Sequence, residues 1–303
     1  MARRKKGNPV NGWLVIDKPQ NMGSTDVVNK TRYLYKAQKN GHTGTLDPFA
    51  TGVLPIAFGE ATKLIPFVTE GEKEYEFVIQ WGIETNTDDC DGQVINTCDK
   101  TPTKEEILKI IPDFVGKIKQ IPPAYSAIKI DGKRAYDLAR KGEDVQMPER
   151  EIEIYDLTFL EELPIRQARF KVRCSKGTYV RTLGRDIAKK LGTLGHLVAL
   201  RRTKCGKFNL NDTILLENLK NIVHSEEHLE FLLPVITALR DIAVLAVTAV
   251  DAAKLKNGQG LSPNTEGAGD LVGQKAVAVC EDKLIAIVEV GERKIAPLRV
   301  FNL

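Results

Sequence analysis

Runs of apolar residues along the first two thirds of the chain predict several β-strands. Each run is either continuously apolar, as expected for a buried strand, or alternates between apolar and polar positions. The predicted strands are Gly12 to Asp17, Glu74 to Trp81, Ile152 to Phe159 and Gln167 to Cys174. In the second of them, the alternation places four large side chains on one face: Tyr75, Phe77, Ile79 and Trp81.

Helix end signals mark three further segments, which are predicted to be helical: 24–34, 103–111 and 177–191. Ser24 or Thr25 is suited to cap the first helix through a side-chain oxygen. Thr103 and Glu106 form a capping box at the start of the second. Gly192 follows the third and is expected to stop it.

The pattern changes near residue 240, which indicates a boundary between two domains, 1–240 and 241–303. Beyond it the apolar runs are short: Ile242 to Val247, Ala276 to Cys280 and Leu284 to Val290. A turn at Glu281-Asp282-Lys283 separates the last two runs, and one short helix is predicted from Asp251 to Lys256. The second domain is therefore expected to be small and rich in strands.

Charge and composition add a weak hint about partners. The 303 residues are 42% hydrophobic and 28% charged, which is ordinary for a globular protein, and the net charge is +4. Residues 241–303 carry 7 basic and 8 acidic side chains, so the excess of positive charge lies in the first 240 residues. A surface for a polyanion is expected there.

Cysteine and histidine spacing argues against a metal site or a disulfide framework. The five cysteines are irregularly spaced without a Cys-x-x-Cys pair, and the histidines form no His-Glu-x-x-His motif. We expect reduced thiols in a cytoplasmic protein, and no apolar run is long enough to cross a membrane. The acidic run at 85–92 lacks the glutamate that would complete a calcium-binding loop. No phosphate-binding or dinucleotide-binding glycine motif is present, so neither a cofactor nor a metal is predicted.

One stretch holds the best candidate for a catalytic acid. Residues 41–55 read Gly-His-Thr-Gly-Thr-Leu-Asp-Pro-Phe-Ala-Thr-Gly-Val-Leu-Pro, a composition typical of a loop. Asp47 is the single acid in it, and Pro48 restrains its backbone. Without further context, an ordinary turn residue is as good an interpretation of Asp47 as a catalytic group.

This stretch resembles the central motif of the bacterial tRNA pseudouridine-55 synthases, the TruB family. Further similar segments are Lys18-Pro19 with Gly23-Ser24-Thr25, the run 121–142, Gly177 to Leu183 and Leu200 to Lys207, so the resemblance covers roughly residues 12–208. It implies an α+β fold, with a mixed, mostly antiparallel central sheet flanked by helices. By position, residues 241–303 resemble a PUA-like RNA-binding domain.

The resemblance also implies roles for individual residues. Asp47 would be the catalytic acid and Arg181 its ion-pair partner. Tyr75 would stack on the target base and take the proton from C5. The other positions matched by the family are Tyr179 and Leu200 at the uracil pocket, Lys18 close to the site, and His42, which fills the space left by the flipped nucleotide. From the residues alone, Arg181 is better explained as a surface arginine, Tyr75 as a half-buried strand residue and Leu200 as core packing.

Basic residues near tyrosines in the segment 121–150 suit contact with RNA. Six lysines or arginines lie between positions 129 and 150, and Tyr125 and Tyr136 lie in the same region. Basic and aromatic side chains together suit phosphate contact and base stacking. A hairpin and helix with a solvated face is the alternative.

The implied reaction isomerises uridine to pseudouridine at position 55 in the T-loop of tRNA, after the target base is flipped out. Asp47 would either attack C1′ of the ribose or remove a proton from C2′, and both alternatives stay open. We expect a monomer that binds the T-arm of tRNA without a guide RNA. The alternatives are a guide-RNA-dependent relative, an RNA chaperone that assists tRNA folding, and a metal-dependent nuclease, which the single acid in the loop disfavours.

Overall fold

The computed structural model describes residues 7–126, 128–130, 132–139, 146–222 and 226–303. The strands, in chain order, are β1 (Gly12–Lys18), β2 (Asn40–His42), β3 (Thr51–Phe58), β4 (Lys73–Trp81), β5 (Ile83–Thr85), β6 (Val94–Thr97), β7 (Gly116–Gln120), β8 (Lys129–Ile130), β9 (Lys133–Arg134), β10 (Arg150–Leu163), β11 (Gln167–Cys174), β12 (Gly195–Cys205), β13 (Phe208–Asn209), β14 (Ile214–Leu215), β15 (Ala243–Ala246), β16 (Lys275–Cys280), β17 (Lys283–Val290) and β18 (Ile295–Val300). The α-helices are α1 (Ser24–Leu34), α2 (Ile65–Glu70), α3 (Lys104–Ile110), α4 (Ala135–Ala139), α5 (Val180–Lys190), α6 (Leu216–Ile222) and α7 (Ala249–Lys256).

A ten-stranded sheet forms the centre of the larger part of the molecule. Its main order is β14-β1-β3-β12-β4-β11-β10-β7, with β13 paired to β12 and β2 paired to β3. The pairs β1–β14 and β3–β12 are parallel and the other pairs are antiparallel. The expected mixed, mostly antiparallel sheet of an α+β protein is confirmed.

The alternation in β4 buries one face of that strand. Phe77, Ile79 and Trp81 are almost fully buried and Tyr75 is nearly so, and all four belong to the main hydrophobic core. Burial of this face against the surrounding strands and helices is the main force that holds β4 in the sheet. The predicted capping box of α3 is also present, since Glu106 N donates to Thr103 Oγ1 and Thr103 N donates to Glu106 Oε2.

A smaller sheet, β15-β16-β17-β18, contains the C-terminal strands, so the strand-rich C-terminal part is confirmed. Of these strands, β18 was not predicted from the sequence. Val277, Ile287 and Phe301 share a hydrophobic cluster with Trp13 and Phe208 of the larger part. The boundary near residue 240 stays a prediction.

Two expectations about local structure are wrong. Helix α1 has Gly23 as its N-cap, and Ser24 lies within the helix. The stretch 41–55 is a loop only in its middle, because 40–42 and 51–58 pair as strands β2 and β3. Gly52 makes the sequence of this strand resemble that of a loop. Its φ is 101°, and a side chain there would overlap the Arg202 carbonyl oxygen of β12.

The RNA-binding segment predicted at 121–150 is described in part. Strands β8 and β9 form a short antiparallel pair, and α4 follows them. Arg140 and Lys141, two of the six basic residues predicted to contact RNA, lie outside the described residues. So do residues 1–6, which include the basic run at the start of the chain. Among the described residues, no helix combines the length and apolarity that a membrane span requires.

Candidate active site

The loop between β2 and β3 presents Asp47 from a fixed backbone. Ala50 N donates to Asp47 O at 3.1 Å, which closes a turn around Pro48. Ser24 at the start of α1 binds the preceding residue twice: its Oγ donates to Leu46 O at 2.9 Å and accepts from Leu46 N at 2.8 Å. The helix start and the loop are therefore joined, so Asp47 has little freedom to move.

Lys18 secures the same loop from β1. Its side chain is fully buried, and its Nζ donates to Pro48 O at 3.1 Å. The same ammonium donates to Pro19 O at 2.9 Å and to Met22 O at 2.6 Å. Burial lowers the pKa of Lys18 to about 8, an effect that Asp47 opposes and Arg202 reinforces. Lys18 therefore acts on the loop backbone and lies close to the Asp47 charge.

Replacement of Lys18 by methionine should destabilise the protein, because the three carbonyl oxygens lose their donor. We expect a loss of about 1–3 kcal/mol in the free energy of unfolding, the usual cost of leaving buried polar groups unpaired. Urea unfolding of Lys18→Met beside Lys39→Met, which removes an exposed lysine before β2, measures this. Equal stability of the two variants would show that Lys18 does not secure the loop.

Arg181 lies in the first turn of α5 and holds two carboxylates. Its Nε lies 3.0 Å from Asp47 Oδ2, and its Nη2 donates to Asp47 Oδ1 at 3.2 Å. Its Nη1 lies 3.2 Å from Asp89 Oδ2. The Arg181 and Asp89 side chains are 4% and 5% exposed, whereas Asp47 is 35% exposed. Asp47 is thus the member of this network that a substrate can reach.

Backbone carbonyls complete the surroundings of Arg181. Its Nη1 donates to Thr87 O and its Nη2 to Tyr125 O, both at 2.9 Å. The planar guanidinium satisfies several acceptors at fixed angles, which a lysine could not do. Arg181 therefore links the Asp47 loop to the loop after β5 and to the start of the segment 121–150.

The electrostatic environment of Asp47 has opposing contributions. Burial raises the pKa of the Asp47 carboxyl, the Asp89 carboxylate adds to the rise, and the Arg181 and Lys18 cations act against it. Arg181 thus favours the ionised carboxylate, but the larger effect of burial makes the net change in pKa upward. A carboxyl in this setting can change its charge at a higher pH than a solvated aspartate.

The residues matched to the uracil pocket lie on neighbouring elements. Tyr75 on β4 and Leu200 on β12 are buried. Leu200 lines a cavity of about 440 Å³ together with Phe49, which lies two residues after Asp47 in the loop. Tyr179 is the N-cap residue of α5, and its backbone is bound on both sides by Gln120: Tyr179 N donates to Oε1 at 2.8 Å, and Nε2 donates to Tyr179 O at 3.1 Å.

Comparisons with known proteins agree on the family. Residues 32–180 match the model of the TruB family pseudouridylate synthase N-terminal domain, and residues 181–240 match the tRNA pseudouridylate synthase B C-terminal domain. A protein of Caulobacter vibrioides called tRNA pseudouridine synthase B is 46% identical over the full length of both chains. The chain belongs to the TruB family.

A second relative and two solved structures extend the comparison. The tRNA pseudouridine synthase B of Bradyrhizobium diazoefficiens is 48% identical and matches all of this chain and 91% of its own. A chain from an H/ACA RNP bound to a substrate RNA containing 2′-deoxyuridine matches with a TM-score of 0.75, 21% identity and coverage of 100% and 92%. A chain from a Cbf5-Nop10-Gar1 complex matches with a TM-score of 0.74, 23% identity and coverage of 100% and 90%. At these identities the two matches show the fold of this chain, which is the pseudouridine synthase fold.

His42 is the residue whose structural role is easiest to define within this TruB family site. Its Nδ1 accepts a hydrogen bond from Gly44 N at 3.2 Å. Burial, with a further contribution from Arg202, lowers the pKa of His42. An imidazole that accepts at Nδ1 is neutral, so His42 stabilises the turn before Asp47. The contact with RNA that the resemblance implies stays a prediction.

Two site residues were missed at the sequence level. Asp89 lies in the acidic run 85–92, whose pattern predicts a loop without a calcium site. Arg202 was included only in a basic run, yet it is 1% exposed. No local signal in the sequence shows that Asp89 pairs with Arg181 or that Arg202 is buried. Within the described residues, no group of three or more potential ligands suits a metal ion.

Proposed function

We propose that this protein isomerises uridine to pseudouridine at position 55 in the T-loop of tRNA, acting alone and with Asp47 as the catalytic carboxylate. Family membership and the relatives called tRNA pseudouridine synthase B support tRNA uridine isomerisation. The observation that carries the role of Asp47 is its partial exposure beside a buried arginine. Arg181 lies against both oxygens of the carboxylate, and the Asp47 side chain stays 35% exposed.

In the proposed reaction the target uridine is flipped into the cleft, because a stacked base would hide C1′ and C5. Asp47 promotes cleavage of the bond between C1′ and N1, either by attack on C1′ or by removal of a proton from C2′. The uracil turns and rejoins the ribose through C5. Tyr75 then accepts the proton that leaves C5.

Each remaining residue supports this chemistry through a contact described above. Arg181 orients the Asp47 carboxylate, and Lys18 secures the backbone of its loop. Leu200 supplies apolar surface to the cavity beside the loop, and Tyr179 lies at the start of the helix that carries Arg181. The carboxylate needs no redox step for this reaction, since the product is an isomer of the substrate.

The position on tRNA is tested by chemical mapping. Purified protein is incubated with an unmodified tRNA transcript, and pseudouridine is located by reverse transcription after derivatisation. A single stop one nucleotide on the 3′ side of position 55 is expected, and a transcript with cytidine at position 55 is the matched control. Pseudouridine elsewhere, or formation only after a guide RNA is added, would reject the proposed specificity.

Neutralising Asp89 should shift the pH dependence of the reaction. Activity requires the Asp47 carboxylate, so the rate falls as the pH drops through the pKa of Asp47, which lies above its ordinary value. Asp89→Asn removes a charge that raises this pKa, so the acid limb is expected to move to lower pH. The plateau rate is expected to fall as well, because Arg181 loses one of its two ion pairs.

Single-turnover rates from pH 4.5 to 8 measure both effects. Asp91→Asn is the control, since Asp91 lies in the same loop, and Asp89 accepts a hydrogen bond from its backbone N–H, which the substitution keeps. If the fall in rate at low pH moved to a higher pH in Asp89→Asn, it could not be assigned to the ionisation of Asp47.

A further inference from the structure

A fully buried arginine next to the site has no acidic partner among the described residues. Arg202 lies on β12 and is 1% exposed, and none of the ion pairs found in the described part of the chain includes it. A buried charge without a counter-ion costs several kcal/mol in desolvation. Its presence beside a catalytic cleft calls for a function that an apolar side chain could not perform.

Arg202 joins three parts of the site. Its Nε donates to Val53 O of β3 at 2.7 Å, and its Nη2 donates to Gly44 O at 3.1 Å, three residues before Asp47. Tyr75 lies directly opposite Arg202 on β4, and both side chains are buried. A guanidinium has only donors, so the Tyr75 oxygen would be the acceptor of a hydrogen bond between them.

Arg202 favours an anion on the Tyr75 oxygen, and burial opposes it. Burial raises the pKa of Tyr75 to about 12, and Arg202 acts against that rise. Cys174 and Cys205 also influence Tyr75, and both raise its pKa. Arg202 in turn lowers the pKa values of three further side chains: Lys18, His42 and Lys73. Lys18 and Lys73 add positive charge around Arg202, and a phenolate on Tyr75 would supply negative charge there.

We propose that Arg202 is a positioning residue for the last proton transfer: it fixes the Tyr75 hydroxyl beside the loop that carries Asp47 and stabilises that oxygen as an anion while it receives the proton from C5. This inference rests on the proposed function. The inference extends the proposed function, because it assigns Arg202, a buried cation that does not touch the substrate, a role in one step of the reaction.

The proton balance closes within the isomerisation. Tyr75 loses its O–H proton to solvent, and N1 of the uracil takes up one proton from solvent after the bond from N1 to C1′ has broken. When C5 has joined C1′, the bond from C5 to hydrogen breaks and a new O–H bond forms on Tyr75. The electron pair left on carbon restores the double bond between C5 and C6, and Tyr75 is again neutral.

A deuterium isotope effect distinguishes this role from a structural one. Single-turnover rates are measured with tRNA transcripts that carry hydrogen or deuterium at C5 of uracil. Arg202→Met is expected to lower the rate about 10²-fold or more, the usual contribution of a positioned acid or base. Because removal of the C5 proton becomes the slow step, the isotope effect should exceed that of the wild type.

The dependence of the single-turnover rate on pH gives a second readout. The rate of Arg202→Met should keep rising over an alkaline range in which the wild-type rate is constant. Arg201→Met, which removes the neighbouring guanidinium from the other face of β12, should leave the isotope effect unchanged. If Arg202→Met does not fold, Arg202→Gln takes its place, because it is neutral and keeps N–H donors. Thermal unfolding and tRNA binding show which variants are folded.

An isotope effect equal to that of the wild type in a folded neutral variant, whatever its rate, would overturn the role of Arg202. That result is distinct from failure of the proposed function, in which the wild type itself forms no pseudouridine in this transcript; the role of Arg202 would then fall with it. A raised isotope effect together with the altered pH profile would support the inference.

Discussion

Asp47→Asn is expected to abolish pseudouridine formation while tRNA binding persists. Asparagine has nearly the shape of aspartate, and it can still accept a hydrogen bond from Arg181, but it is a poor nucleophile and a poor base. We expect the single-turnover rate to fall by more than about 10⁴-fold, the scale seen when a catalytic acid is removed from an enzyme that acts through it. Nucleoside analysis of digested tRNA measures the product, and filter binding measures the affinity.

The neighbouring carboxylate provides the control for that substitution. Asp89→Asn removes an equal charge from the same arginine, yet Asp89 is 5% exposed and cannot reach the substrate as Asp47 can. It should therefore retain measurable activity. Comparable rates in the two variants would move the catalytic role away from Asp47, and persistent folding of tRNA by Asp47→Asn would add a chaperone activity to the enzymatic one.

Arg181→Met is expected to lower both stability and activity. It leaves the buried Asp89 carboxylate without a partner, and two carboxylates then face each other across the vacated space. Breaking a buried ion pair from one side costs about 3–5 kcal/mol. The loss of the cation also raises the pKa of Asp47 further, so a smaller fraction of the enzyme has the ionised carboxylate at neutral pH.

Urea unfolding and single-turnover rates separate the two effects. Arg185→Met is the matched control, because Arg185 lies one turn further along α5 and its Nη1 lies 3.0 Å from Asp88 Oδ2. That pair is more exposed, and we expect a loss nearer to about 1 kcal/mol. If Arg181→Met is as stable and as active as Arg185→Met, the buried network does not organise the site.

The sequence predicts several strands of the central sheet, and it predicts part of the polar network around Asp47. Local patterns sufficed for β4, whose alternation shows directly which face is buried. They failed for β3, because Gly52 and Pro55 are typical of loops, while the pairing that makes this segment a strand comes from residues distant in the chain. Long-range pairing has no local signature in a short run.

The polar network shows the same limit. Asp47 and Arg181 were predicted because each lies in a motif, and the structure brings their side chains together in an ion pair. Asp89 and Arg202 lie in runs of like residues whose usual meaning is a solvated surface. Only the packing of β12 between β3 and β4 places Arg202 inside, so its burial follows from tertiary structure and could not be predicted from its neighbours in the chain.

Tritium release from a defined tRNA tests the central claim most directly. Purified protein alone, without guide RNA, partner protein or added metal, is incubated with an unmodified transcript tritiated at C5 of uracil, beside Asp47→Asn. We expect the wild type to release the tritium of one uridine per tRNA and Asp47→Asn to release none. Equal release by both proteins, or none by a wild type that binds the tRNA, would contradict a stand-alone synthase that depends on Asp47.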